Sequence, residues 1–138
     1  MNITNELNAV LTLLANVHNI NSGGCGIAAL VARDYLEKHT NVTMYGIVSE
    51  AYKWCYKDDG IDYVYEHIVI KIENKYYDSE GEFLLTNHTR HIAFLEKIER
   101  EDIIHLLSVD SWNNIFDRDD IVPVIKKLNL QLTIPTIR

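Results

Sequence analysis

The chain has 138 residues, 47% of them hydrophobic and 24% charged, with a formal net charge of −7. This is the length and composition of one soluble globular domain that can bury a core without cross-links. The acidic balance argues against a binder that tracks nucleic-acid phosphates, and leaves room for an acidic surface that meets a basic partner or occupies a nucleic-acid groove.

No apolar run approaches the length of a membrane span, so no membrane partner is expected. The first residues, Met1 to Glu6, lack a basic region and place an acid before the apolar run, unlike a secretory leader. The two cysteines, Cys25 and Cys55, are then read as free thiols in a reducing, cytoplasmic setting. The Asn-X-Thr triplets at Asn2, Asn41 and Asn87 carry no meaning there.

Ile3, Leu7, Val10, Leu11, Leu14 and Val17 recur at helical spacing and predict a helix over 3–17. Residues 18–24 are rich in turn formers. Next comes Ser22-Gly23-Gly24-Cys25-Gly26, with a helix predicted from Cys25 to about residue 39. A buried free cysteine is most often an inert small hydrophobe. At a helix start, however, a cysteine faces unpaired N–H groups and the positive end of the macrodipole, which favour the thiolate. Glycines around it permit positive φ and close approach of a substrate.

Residues 42–48 read as a strand, and Ser49 is placed to cap a short helix over 50–56. Residues 57–60 form a turn. The clearest β signal covers 61–72, followed by a tight connection at 73–75 and a return strand from Tyr76 to Asp78 that closes at 79–81. Phe83 to Leu85 extend that strand, 86–89 are loop, and 91–98 fit a strand or a helix. Helical spacing covers 99–107, a loop holds Trp112, and an acidic-to-basic pattern predicts a helix over 117–128. Pro123 moves the start of that helix toward Val122. Residues 130–134 read as a last short strand.

A nucleophilic thiol needs a base, and the base needs an orienter on its other ring nitrogen. Cys25, His67 and Asp78 supply these groups in chain order. With the hairpin turning at Asn74, Asp78 pairs nearer Ile70 or Lys71 than His67, so twist, a bulge, or Glu80 or Glu66 in place of Asp78 enters the account. His88 and His91, three apart, have no third ligand by spacing and are read as a surface pair, so no metal is expected. No glycine pattern for nucleotide phosphates is present, and no cofactor is expected.

The order of these residues resembles the papain-like cysteine peptidase superfamily. There the Cys begins a helix, the His opens a strand, and an Asn or Asp follows on a neighbouring strand. Gly23-Gly24-Cys25-Gly26 is similar to that family's nucleophile loop, and residues 67–72 with 76–78 are similar to its His and acid strands. The likeness spans residues 19–81. It is shared with cell-wall amidases, transglutaminase-like proteins, arylamine acetyltransferases and bacteriocin-processing peptidases. It implies an α+β fold in which N-terminal helices pack on a mostly antiparallel sheet. It also implies thiol-dependent hydrolysis or acyl transfer at an amide or ester of a protein or peptide-like substrate. Where the family carries an oxyanion-hole Gln before the Cys, this chain offers Asn19, with the Cys25 N–H as a separate donor. The alternative is a non-catalytic acidic interaction or inhibitor protein on the same fold, of the kind a virus or mobile element encodes.

Overall fold

The structure is a computed structural model describing residues 3–20, 24–54, 65–85, 92–109 and 116–134. Helix α1 spans Ile3–Ala15 and α2 spans Cys25–Leu36. The strands are β1 (Thr43–Ser49), β2 (His67–Ile72), β3 (Lys75–Asp78), β4 (Gly81–Phe83) and β5 (Ile92–Ile98). Helix α3 (Arg100–Val109), a 3-10 turn (Arg118–Ile121) and α4 (Val122–Lys127) follow. The five strands form one sheet in the order β4-β3-β2-β1-β5, with every neighbouring pair antiparallel. The fold is therefore mixed α+β, with four helices and a five-stranded antiparallel sheet among the described residues. No helix of these residues is long and apolar enough to cross a membrane.

Helix α1 buries the stripe its spacing predicts: Leu7, Val10, Leu11 and Leu14. Helix α2 is enclosed further round its circumference. Residues 26–32 are all buried, because α2 lies between the sheet on one side and α1 and α3 on the others. An unbroken run of small and aliphatic residues suits a helix with neighbours on several sides. Its Ala28, Ala29 and Ala32 let the helix axis approach the sheet closely. From β2, Ile68, Ile70 and Ile72 point into this core, following the period-2 pleat. Gly46 of β1 is required by packing: a Cβ there would lie 2.3 Å from the ring of Tyr65.

Several predicted elements come out differently. Ser49 does not cap a helix. It is the last, buried residue of β1, still paired with Ile92 beyond a bulge, and residues 50–54 form turns with Tyr52 N–H bonded to Ser49 O at 3.1 Å. The β2 strand begins at His67, and 55–64 lie outside the described residues. The hairpin turn is Glu73-Asn74, so the return strand starts at Lys75, one residue earlier than expected. Glu73 takes φ 55, the positive φ that two-residue hairpin turns need. Residues 92–98 are a strand. The predicted 117–128 helix is broken into the 3-10 turn and α4, which starts at Val122 with Pro123 in its first turn. Residues 130–134 are not a strand. Their alternation is met by packing Leu130, Leu132 and Ile134 against the core without a sheet partner.

Candidate active site

Cys25 is the first residue of α2, and Gly24 is its N-cap. Gly24 has φ −97 and ψ 7, a conformation open to any residue, so its lack of a side chain is a matter of space. A Cβ at Gly24 would sit 2.5 Å from the carbonyl oxygen of Ile20. Close packing onto the preceding turn therefore fixes the point where α2 begins. No side chain caps this end, and the first intrahelical bond runs from Ala28 N–H to Gly24 O at 2.8 Å. The N–H groups of Cys25, Gly26 and Ile27 precede that bond and have no partner within the helix.

His67 opens β2. Its Nε2 lies 3.0 Å from Asp78 Oδ2 across the β2–β3 hairpin. The ladder pairs Ile72 with Lys75, Lys71 with Tyr76 and Ile70 with Tyr77. Carried one step on, this register sets Asp78 opposite Val69, a diagonal neighbour of His67 on one side of the pleat. Diagonal positions lie about 7–8 Å apart at the backbone, a span that a His and an Asp side chain close together. No bulge is needed, and the carboxylate meeting the ring is Asp78; Glu66 and Glu80 are both exposed.

The imidazole is 23% exposed and the Asp78 side chain 13%. Burial acts to lower the ring's pKa. The Asp78 hydrogen bond and the interaction with Cys25 outweigh it and raise the pKa from 6.5 to about 10. The ring is thus an imidazolium at neutral pH, with Nε2–H donating to Asp78. Nδ1 is left as the ring nitrogen for Cys25. Cys25 is a free thiol.

Asp78 also serves a local purpose. Its Oδ1 accepts the Glu80 N–H at 2.8 Å, which stabilises the turn between β3 and β4. Gly81, at φ 119, ends that turn. The Phe83 ring, two residues on, rests 5.5 Å from the His67 ring, centroid to centroid and tilted by 38°. Ser79 is 97% removed from solvent and lines a cavity beside Cys25, His67 and Asp78. That cavity holds about 10 Å³, room for a single water. Sequence reasoning missed the roles of Ser79, the Glu80 N–H and Phe83. The signal for the last two was Asp-Ser-Glu-Gly, a turn closed by a glycine, with Phe83 on the alternation that follows.

Cys25, His67 and Asp78 are thus brought together. Asn19 is half-buried with φ 58, in the left-handed region that Asn tolerates, and is not among the residues lining the cavity. Its side-chain type is accounted for by the backbone. Cys55, His88 and His91 lie outside the described residues. Among the described residues no three His, Cys, Asp or Glu side chains gather to hold a metal ion. No family model matches the sequence, no curated protein matches it, and no solved structure matches the fold.

Proposed function

We propose that the protein is a thiol-dependent hydrolase or acyltransferase with a papain-like arrangement, acting on an amide or ester of a protein or peptide-like substrate. One observation carries this reading: the His67 ring meets Asp78 through Nε2 and interacts as well with Cys25, which lines the same cavity. A structural histidine is satisfied by any polar partners on its two ring nitrogens, backbone groups and water included. A ring that meets a carboxylate through one nitrogen and interacts with a helix-start thiol as well has the wiring of a nucleophile, base and orienter.

In the first half-reaction the Cys25 thiolate attacks the carbonyl carbon and forms a C–S bond. The oxyanion that develops is met by the Cys25 N–H at the uncapped start of α2. The imidazolium of His67 gives its proton to the leaving amine or alkoxide as the C–N or C–O bond breaks, leaving a thioester. In the second half-reaction water, or another acceptor, loses a proton to neutral His67 and attacks the thioester. Cys25 leaves as thiolate beside the reprotonated ring. Asp78 keeps Nε2 protonated throughout and so directs Nδ1 to the reacting atoms. The wiring does not encode which acceptor is used.

The test is alkylation of Cys25 by iodoacetamide across pH, read by peptide mass mapping, in wild type and His67→Ala. A Cys25 that reacts at about pH 6, where an unassisted thiol is nearly all protonated, and loses this without His67 supports the ion pair. A Cys25 that follows an ordinary thiol, or is untouched in the folded protein, overturns it in favour of a non-catalytic interaction protein.

A further inference from the structure

Asp78 is bound through both oxygens, and the two partners differ in kind. Oδ2 faces the His67 ring at 3.0 Å, while Oδ1 accepts the backbone N–H of Glu80 at 2.8 Å. The second partner is a fixed donor that cannot reverse. The turn that aims it is set by Gly81, whose φ of 119 disfavours an L side chain although nothing lies within 4 Å of where a Cβ would stand.

We propose that the Glu80 backbone N–H, held by the turn that Gly81 closes, fixes which atom of residue 78 faces His67, so that this site requires a carboxylate and rejects the isosteric amide. The inference rests on the thiol-hydrolase reading above and names the Glu80 N–H and Gly81 as positioning groups. A carboxylate has two equivalent acceptors and satisfies both donors at once. An amide has one oxygen and one NH2. The Glu80 N–H claims the oxygen, since the reverse placement sets N–H against N–H. The NH2 is then presented to Nε2 of His67. To accept it, the ring must be neutral and carry its proton on Nδ1, the nitrogen left for Cys25. A ring in that tautomer cannot take the thiol proton. Without the turn amide, an Asn at 78 could rotate and offer its oxygen to His67, serving nearly as well as Asp.

The experiment compares wild type, Asp78→Asn, Asp78→Ala and Gly81→Ala in the full chain. His67 is titrated by NMR of its labelled ring, and Cys25 alkylation is followed across pH. In Asp78→Asn the His67 midpoint is expected to fall from about 10 to the ordinary range near 6.5 or below. Alkylation at about pH 6 should drop by roughly tenfold or more, to the level of Asp78→Ala. Gly81→Ala, which adds no clash, should move both readouts in the same direction. An Asp78→Asn protein that keeps wild-type titration and alkylation while Asp78→Ala loses both overturns the inference and leaves the triad reading standing. A Gly81→Ala protein that folds with both readouts unchanged also overturns it. If Asp78→Ala itself changes neither, Asp78 does not orient His67, and the role given to it under the proposed function falls as well.

Discussion

Gly24 packs directly on Ile20: its Cα stands where any Cβ would come within 2.5 Å of the Ile20 carbonyl oxygen. The obstacle is backbone, which cannot swing aside as a side-chain tip would. Gly24→Ala is therefore expected to push the start of α2 away from the preceding turn. Overpacking of this kind costs about 1–3 kcal/mol, and Ala is also a poorer N-cap than Gly. Urea unfolding should show a loss of about 2 kcal/mol. Because the residue displaced is Cys25, its reactivity at acid pH should fall in the protein that still folds. Unchanged stability would mean that the Ile20 turn gives way freely.

The raised pKa of His67 makes stability depend on pH with a definite sign. A group whose folded pKa lies above its unfolded value stabilises the fold fully below the unfolded value, and that contribution is lost as pH rises through the folded value. With 6.5 and about 10 as the two ends, the loss runs from about pH 6.5 to about pH 10. At ~1.4 kcal/mol per pH unit the ceiling is about 5 kcal/mol, and coupling to Cys25 reduces it. The check is the unfolding free energy at both ends of that window in wild type and His67→Gln. Lysines and tyrosines titrate in both proteins, so the difference isolates the ring together with the Cys25 thiol coupled to it. Equal slopes in the two would show that the ring carries no such excess charge stabilisation.

The same ring shows what could be read before the structure. Cys25, His67 and Asp78 were legible as a set, because helix-start glycines and a hairpin are both local signals. Their contact was harder to foresee. It depends on a register fixed by where the hairpin turns, and the positive φ at Glu73 shortened the connection by one residue. The α+β class came from the resemblance, and the helical spacing of α1 and the β-rich run of β2 agree with it. Residues 130–134 were misread because alternation reports burial on one side, whether the cover is a sheet partner or other parts of the core. Ser49 was misread for a related reason. A Ser before an acid suits an N-cap, but sheet pairing with Ile92 holds its backbone in β1 through the bulge. Tertiary context overrode a local preference in both places, through core cover without a partner strand at 130–134 and through strand pairing at Ser49.

One brace outside the site holds α2 where the site needs it. Arg100, at the start of α3, grips Asp34 of α2 through three contacts: Nε to Oδ1 at 3.0 Å, Nε to Oδ2 at 3.1 Å and Nη2 to Oδ2 at 2.9 Å. Arg33 adds a fourth at 3.1 Å. The Asp34 side chain is 12% exposed and that of Arg100 28%, so water screens this pair less than a surface ion pair. The Asp34 hydrogen bond raises the Arg100 pKa further, so the guanidinium stays charged. A lysine supplies a point charge without the planar fork, and Arg100→Lys should cost about 1 kcal/mol. Arg100→Ala should cost about 2–3 kcal/mol, in part because it strips the carboxylate of its main partner. A double-mutant cycle with Asp34→Ala should return a coupling of about 1–3 kcal/mol that changes little between low and high salt. A coupling near zero, or one abolished by salt, would place the pair among ordinary surface bridges and remove it as the tie between α2 and α3.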